Sequence, residues 1–278
     1  MSRSRARARS GASSTSGGSR RAASEQTYTF GDSRRAADRL ARVAANFEPS
    51  SRAFFEEAAP RGVARALDLG CGPGFTTLLL ADVCAPRELV GLDASEAFVA
   101  LARERARPGV AFAVHDVTAL PFPGGAADLI HARLLLAHLR DPEALVVRWG
   151  SQLRSGGRLL LDEVESIRSE DPVFALYLDL VRRVLAARGQ QLEIGPRIEC
   201  ATRGAQRVHC ELRELTLPPA RVAEMFAPNL AELRASSALR ALADESVLDE
   251  VAAGLRLREQ GKSGRPVTWR LRQLAIEA

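Results

Sequence analysis

The chain has 278 residues, enough for one large α/β domain or two smaller ones with buried cores. Apolar residues make up 46% and charged residues 26%, as in ordinary globular proteins. Since no run of 18 apolar residues occurs, the composition excludes a membrane-spanning helix.

The formal net charge of +5 is concentrated in the amino-terminal tail. Residues 1–24 contain six arginines and no acidic residue, so the remaining residues carry a formal charge of about −1. Because Ser, Gly, Ala and Arg leave little apolar surface to bury, residues 1–26 are predicted to be disordered. An organellar transit peptide has a similar composition, but the segment after Arg21 lacks the apolar run of a twin-arginine export signal.

The residues after the tail predict a helical lid and then an α/β core. The lid covers residues 27–60 and holds a pair of helices over 32–58 that is broken at Pro49. From 64 to 165, short apolar runs alternate with longer helical patterns, which indicates βαβ units on a parallel, doubly wound sheet. The predicted strands are 64–70, 88–94, 110–116, 128–132 and 158–164, and a turn is predicted at 155–157.

The last part of the chain predicts a helical cap and two further strands. Helical patterns place the cap at residues 166–205 and 219–260, and its first helix covers 171–189. Apolar and polar residues alternate over 208–217 and 266–276, so each segment is predicted to be a strand.

The stretch LDLGCGPGF, residues 67–75, places three glycines between a predicted strand and a predicted helix. Bare backbone N–H groups at the start of a helix suit a phosphate or a carboxylate. Phe75 stands where a dinucleotide-binding G-x-G-x-x-G turn needs its third glycine, which argues against an NAD enzyme. No Lys-Ser or Lys-Thr pair follows, so the turn is not a P-loop.

Acidic residues occur at or after the first three predicted strands. Asp68 precedes the glycine turn, Asp93 ends the second strand and Asp116 ends the third. A carboxylate at the second position can accept hydrogen bonds from both hydroxyls of a ribose. Asp116, with Val117 beside it, is placed to accept from the exocyclic amine of an adenine.

The chain resembles class I S-adenosylmethionine-dependent methyltransferases of the small-molecule, natural-product branch. LDLGCGPG, VGLDAS and HDVTALPFPGGAADLI carry the resemblance most specifically, and it extends over about residues 27–277. It implies one Rossmann-like α/β domain over 27–278, with a doubly wound, mostly parallel seven-stranded sheet whose last strand is antiparallel. It also implies S-adenosylmethionine as cofactor, S-adenosylhomocysteine as product, and no metal.

The resemblance further implies which residues bind the cofactor. The implied residues are Asp68, Gly70 and Gly72 for the methionine end, Asp93 and Ala94 for the ribose, Asp116 and Val117 for the adenine, and Arg39 and Tyr28 in the lid that closes over the cofactor. A surface arginine and a helix-anchoring tyrosine are the alternatives for the last two.

Two residues are candidates for a catalytic role. A sulfonium donor has a neutral leaving group, so orientation can supply much of the rate, and a base is needed only if the acceptor must lose a proton. His131, at the end of the fourth strand, is a candidate base, or else it caps the next helix. Glu163, at the end of the fifth strand, is a candidate base or a partner for the cofactor amine. Asp162 points to the opposite face of that strand, and His138 is predicted to be structural.

The predicted function is methyl transfer to an O, N or C atom of a small metabolite, in secondary metabolism. Aromatic and thioether side chains of the lid and cap are predicted to line the acceptor pocket: Phe54, Phe55, Phe174, Tyr177, Met225 and Phe226. The alternatives are an RNA methyltransferase that uses the basic tail, and a cofactor-binding scaffold without catalysis. The near-neutral domain argues against nucleic acid as a partner, and a homodimer through the cap is predicted.

The four cysteines show no spacing typical of a zinc site or a disulfide framework. We therefore predict that the protein works in the reducing cytoplasm and has no membrane partner.

Overall fold

The computed structural model describes residues 31–278. Seven strands in this part of the chain form one sheet, in the order β3-β2-β1-β4-β5-β7-β6. Strands β1 to β5 run parallel to one another, and β7 is antiparallel to both β5 and β6. The strands are β1 Arg65–Leu69, β2 Glu88–Asp93, β3 Val110–Val114, β4 Ala127–Arg133, β5 Leu153–Ser169, β6 Gln206–Leu217 and β7 Val267–Glu277. The predicted α/β class and the mostly parallel, seven-stranded, doubly wound sheet are confirmed.

Helices cover both faces of the sheet and build the cap at one end of it. They are α1 Arg34–Ala58, α2 Phe75–Cys84, α3 Glu96–Arg103, α4 Pro142–Gly150, α5 Pro172–Ala186, α6 Gly195–Ala201, α7 Pro219–Arg234, α8 Ser237–Arg240 and α9 Glu245–Glu259. A 3₁₀ turn, Leu136–His138, follows β4. Because helices flank both faces, β1 is buried along its whole length. None of the described helices is long and apolar enough to cross a membrane.

The lid is one helix, so the predicted break at Pro49 is wrong. Helix α1 continues through Pro49, although a proline inside a helix removes one backbone hydrogen bond and costs about 3 kcal/mol. Phe47 lies before the proline, and Phe54 and Phe55 lie after it, all three buried. Burial of an aromatic side chain contributes about 1.5–3 kcal/mol, so packing on both sides of Pro49 offsets its cost.

Strand β5 is longer than predicted and includes residues 155–157, where the predicted turn is an irregularity within the strand: Leu153 pairs with Ala127 and Arg158 with Leu129, and Gly156 has φ +74°. It runs over 17 residues, and its register with β7 extends from the Arg158–Glu277 pair to the Ser169–Val267 pair. Pairing with β7 provides hydrogen-bond partners far beyond the predicted end at residue 164. The strand therefore crosses the predicted boundary between core and cap at residues 165–166.

The cap has a hydrophobic core of its own, which is continuous with the β5–β7 end of the sheet. Helices α5, α7 and α9 pack there around buried aromatic side chains. The ring of Phe226 stacks on Tyr177, with centroids 4.2 Å apart, and lies 5.9 Å from the ring of Trp269 on β7. Helix α1 packs against both α2 of the core and α7 of the cap.

Candidate active site

A cavity of about 1040 Å³ lies at the carboxyl ends of the parallel strands. It is bounded by the loops after β1 to β4, by the end of β5, and by α1, α5 and α7. Strand β1 pairs with β2 on one side and β4 on the other, so the cavity is at the point where the strand order reverses. Open α/β sheets bind their ligands at such a point.

The glycine turn lines this cavity and needs its glycines for two reasons. Gly70 has φ +63°, a conformation that disfavours a side chain, and a Cβ there would lie 2.6 Å from the Leu135 side chain. Gly74 has φ +88° and begins α2, and a Cβ there would lie 2.8 Å from the Phe112 ring. The turn therefore packs closely against Leu135 and Phe112, while Gly70 and Gly72 also line the cavity, where a bound ligand can approach their backbone.

Asp93 ends β2 at the wall of the cavity and is held by the backbone. Its Oδ2 accepts from the Gly72 N–H at 2.8 Å, and its Oδ1 accepts from the Ser95 N–H at 2.8 Å. Burial raises the pKa of Asp93, while these two donors lower it. The N–H of Gly72 thus orients Asp93, and the neighbouring Ala94 is exposed on the cavity wall.

The loop after β3 forms the next part of the wall. Asp116 Oδ1 accepts from both the N–H and the hydroxyl of Thr118, at 2.9 and 2.7 Å. The carbonyl of Val117 accepts from the Trp149 indole at 2.9 Å. Both Asp116 and Val117 line the cavity, where a ligand that reaches Asp93 would extend.

Asp68 and His131 lie behind the glycine turn and not on the cavity wall. Asp68 is 2% exposed, and its two oxygens are bound to the Thr77 hydroxyl at 2.6 Å and to His131 Nδ1 at 2.8 Å. His131 is 0% exposed, and its ring packs edge-on against Phe55 with centroids 4.8 Å apart. The structure therefore brings these two predicted residues together as a support for the turn, and His131 is bound to Asp68 and does not cap the 3₁₀ turn after β4.

Glu163 reaches the cavity, unlike its neighbour in sequence. Its Oε1 accepts from the N–H groups of Leu135 and Leu136 at 2.9 and 2.8 Å. Its Oε2 is buried and has no hydrogen-bond partner among the described residues. Burial raises the pKa of Glu163 to about 8, so the carboxyl is largely protonated at neutral pH. A polar atom held this way at a cavity wall can donate to a ligand or take up its proton.

Asp162 faces away from the cavity, as strand alternation predicts. Its oxygens accept from Ser51 of α1 at 3.2 Å and from Gln273 of β7 at 3.3 Å. Burial raises its pKa, and attraction to Arg133 lowers it.

The lid and the cap meet over the cavity. The guanidinium of Arg39, on α1, donates to Asn229 Oδ1 on α7, and both residues line the cavity. Tyr28, the other predicted lid residue, lies outside the described residues, as does the tail over 1–26.

Several cavity residues were not predicted, because they come from connecting segments, or in the case of Asn229 from helix α7, with no motif of their own. They are Arg140, Arg188, Gln190 and Asn229, together with His138, whose pKa is lowered to about 4 by burial and by the charges of Arg39 and Arg188. The sequence feature that could have indicated them is the occurrence of arginines, such as Arg140 and Arg188, next to the ends of predicted helices. Of the six predicted pocket residues, Tyr177, Met225 and Phe226 line the cavity, whereas the others are buried elsewhere in the core.

Comparison with known proteins places this site in a family context. Residues 67–161 match a family model described as a methyltransferase domain. The trans-aconitate 2-methyltransferase of Variovorax paradoxus is 39% identical over 113 residues, which are 41% of this chain and 42% of that protein. The phosphoethanolamine N-methyltransferase 3 of Arabidopsis thaliana is 32% identical over 118 residues, 41% of this chain and 24% of that protein. The chain thus spans about two fifths, or less, of these curated relatives.

Solved structures share the fold at low identity. The phosphoethanolamine N-methyltransferase 2 of Haemonchus contortus, solved with S-adenosyl-L-methionine, gives a TM-score of 0.52 at 19% identity, over 86% of this chain and 57% of that one. The cyclase SpnF gives a TM-score of 0.51 at 21% identity, over 83% of this chain and 80% of that one. The same fold thus occurs in proteins named for different reactions, and the residues of the site must carry the functional argument.

Proposed function

Since residues 67–161 form a class I S-adenosylmethionine-dependent methyltransferase domain, we propose that this chain transfers a methyl group from S-adenosylmethionine to a small molecule. The observation that carries the proposal is the Asp93 carboxylate, fixed by Gly72 and Ser95 beside a glycine turn that opens into the cavity. The relatives named for trans-aconitate and phosphoethanolamine support a small acceptor.

The residues at the β1–β3 end of the cavity fit an adenosyl group. Asp93 offers carboxylate oxygens for ribose hydroxyls, and Asp116 and Val117 are placed one strand further for the adenine. The bare turn at Gly70 leaves backbone within reach of the methionine end, and Arg39 faces the same cavity with the charge that a carboxylate needs. S-adenosylmethionine supplies an activated methyl group when bound there.

The residues of the chain would orient the two reactants and bind or release one proton. Holding an acceptor in line with the methyl group can supply about 7–11 kcal/mol of the barrier. Glu163 is the residue placed to hold a proton at that point, because its Oε2 faces no other partner among the described residues. Deprotonated Glu163 would act as a base for an acceptor that must lose a proton, which typically contributes about 10²–10⁴-fold.

Calorimetric titration with S-adenosylmethionine, S-adenosylhomocysteine and NAD tests this proposal. We expect the first two to bind and NAD not to bind, and Asp93→Ala to weaken binding about tenfold or more, since charge-assisted hydrogen bonds contribute about 1.5–3 kcal/mol each. Asp179→Ala, an exposed carboxylate of α5 outside the cavity, is the matched control. Failure of both methionine-derived ligands to bind, in a folded protein, would refute the proposal.

We also make proposals about the class of acceptor, the compartment and the oligomeric state. We propose a metabolite of secondary metabolism as the acceptor, action in the cytoplasm, and a homodimer through the cap. The four cysteines, all within the described residues, are free thiols, which suits a reducing compartment. Sedimentation of the purified protein tests the dimer, and substitution of the exposed Leu257 on α9 by Glu tests whether the cap forms its interface.

A further inference from the structure

We propose that the methyl acceptor is a largely apolar molecule with one hydroxyl group, such as a fused-ring phenol, whose rings lie against aromatic side chains of the cavity and whose hydroxyl meets Glu163. The inference deepens the proposed function and rests on it, because it names the class of acceptor for the same cavity. It follows from four neighbouring aromatic rings, from a bulge in β5 and from a buried carboxyl oxygen without a partner among the described residues.

The cavity is large enough for a second molecule beside the cofactor. Its volume is about 1040 Å³. A pocket for a single drug-sized ligand measures about 300–1,000 Å³, so this cavity reaches the upper end of that range. The residues proposed for S-adenosylmethionine come from the loops after β1 to β3 and from Arg39. The walls built by β5, β7, α5 and α7 are therefore left to the acceptor.

Four aromatic side chains form a continuous row along these walls, called here the aromatic wall. They come from α1, α5, α7 and β7, and all four line the cavity: Phe47, Tyr177, Phe226 and Trp269. The rings of Tyr177 and Phe226 stack with centroids 4.2 Å apart, and the Trp269 ring lies 5.9 Å from Phe226 and 5.9 Å from Phe47. Each ring is thus packed against its neighbour. A flat apolar ligand can pack against this row, where aromatic pairs contribute beyond the apolar area that they bury.

A bulge in β5 extends the aromatic wall with aliphatic side chains. The register of β5 with β7 shifts between Val164 and Ser166, which leaves Glu165 as an extra residue. Residues three apart on a regular strand point to opposite faces, but the extra residue turns Val164 and Ile167 to the same face. Both line the cavity and belong to the same hydrophobic cluster as the aromatic wall, whereas Glu165 does not line the cavity. The bulge therefore places two apolar side chains in the cavity and keeps a charged one out of it.

Glu163 supplies the polar contact next to this apolar surface. It precedes Val164 on β5 and lines the same cavity, and its buried Oε2 has no hydrogen-bond partner among the described residues. A hydroxyl can both donate and accept, so it suits the carboxyl in either protonation state. A ligand carboxylate would be repelled by Glu163 in the deprotonated state, in which Glu163 acts as a base. In the transfer, the hydroxyl oxygen would gain the methyl group as the carbon–sulfur bond breaks, and its proton would pass to Glu163.

Calorimetric titration of the protein loaded with S-adenosylhomocysteine tests the proposal. The probe is 2-naphthol, with phenol as the match that lacks the second ring and naphthalene as the match that lacks the hydroxyl. We expect 2-naphthol to bind at least about tenfold more tightly than phenol, because the second ring buries more apolar surface. We expect it to bind about fivefold more tightly than naphthalene, the difference that one hydrogen bond provides. Equal affinities for 2-naphthol and phenol would overturn the proposal.

A leucine variant of Phe226 tests the aromatic wall. Phe226→Leu is expected to weaken 2-naphthol binding about fivefold, since it removes a ring from the row. Phe174→Leu is the matched control, because Phe174 is buried in the same hydrophobic cluster but does not line the cavity. The control should leave 2-naphthol binding unchanged, and both variants should still bind S-adenosylhomocysteine. Equal loss in the two variants, or no loss in Phe226→Leu, would contradict the placement of the acceptor rings.

A leucine variant of Glu163 tests the hydroxyl contact. Glu163→Leu is expected to bind 2-naphthol and naphthalene with equal affinity, while its affinity for naphthalene changes little. A preference for 2-naphthol that persists in this variant would overturn the hydroxyl contact. If S-adenosylhomocysteine does not bind to the folded protein, the proposed function fails and this inference fails with it. If S-adenosylhomocysteine binds and 2-naphthol does not, only the inference about the acceptor fails.

Discussion

At the scale of single residues, Glu163 and Asp162 show how one position along a strand separates two environments. Asp162 is enclosed by Ser51 and Gln273, so its hydrogen bonds are satisfied by the fold itself. Glu163 lines the cavity and satisfies one oxygen with two backbone N–H groups, and its other oxygen is buried with no hydrogen-bond partner among the described residues. A buried group left without a partner is costly, so its persistence is expected where a ligand completes it.

We predict that Glu163 makes stability depend on pH. Its pKa is about 8 in the folded protein and near 4.5 when exposed, so the folded state holds the proton more tightly. This contribution is complete below about pH 4.5 and is lost as pH rises through about 8. Glu163→Gln should therefore gain stability relative to the unmodified protein over that range, by on the order of a few kcal/mol at about 1.4 kcal/mol per pKa unit.

Urea unfolding at pH 5 and pH 8 measures this difference. Glu104→Gln, at an exposed glutamate after α3, should leave the pH dependence of stability unchanged. If the free energy of unfolding has the same pH dependence in Glu163→Gln and in Glu104→Gln, the predicted contribution of Glu163 to the pH dependence of stability is wrong.

At the scale of elements, α1 shows a feature that the sequence does not predict, namely a helix that continues through Pro49. A proline in the middle of a helical pattern predicts a break, because the local cost is known and the compensating contacts are not. Those contacts bring Phe54 and Phe55 to the sheet and Phe47 to the cap core, at sequence separations that no local pattern reveals. The glycine turn and the acids that end the strands were predictable, because each depends on a strand and turn next to it in sequence.

We predict that Pro49→Ala stabilises the protein. Pro49 is exposed, so its replacement removes no packing and restores one backbone hydrogen bond in α1. The expected gain in the free energy of unfolding is about 1 kcal/mol or more, since the helix-interior cost of about 3 kcal/mol is partly offset by the greater freedom of the unfolded chain.

Thermal unfolding compares this variant with Pro219→Ala. Pro219 begins α7, where a proline loses no helical hydrogen bond, so its replacement should bring no gain. Equal shifts of the thermal midpoint in both variants would show that restoring the backbone hydrogen bond at residue 49 does not stabilise α1.

At the scale of the whole molecule, the core was predictable and the arrangement of the cap over it was not. The alternation of strands and helices dictates the sheet, and the reversal of strand order dictates where its cavity lies. Arg140 and Arg188, however, reach the cavity only because α5 and the loop after β4 meet there. The residues at the β1–β3 end of the cavity therefore follow from local motifs, whereas those at the cap end depend on long-range packing.

The length of β5 has a consequence for how the protein unfolds. The strand pairs with β4 in the core and continues along β7 to Ser169, three residues before α5 begins the cap. Core and cap thus share one strand, and we predict a single calorimetric transition of the full chain, with equal calorimetric and van't Hoff enthalpies. Two resolved transitions would show that the cap opens by itself.

One cooperative unit would also transmit binding across the fold. S-adenosylhomocysteine, held at the β1–β3 end, would slow hydrogen exchange in α9 as well as in β3, because a ligand that binds only the folded state suppresses every opening that requires global unfolding. Through β5, the stability of the cap would then be set by ligand occupancy at the β1–β3 end of the cavity.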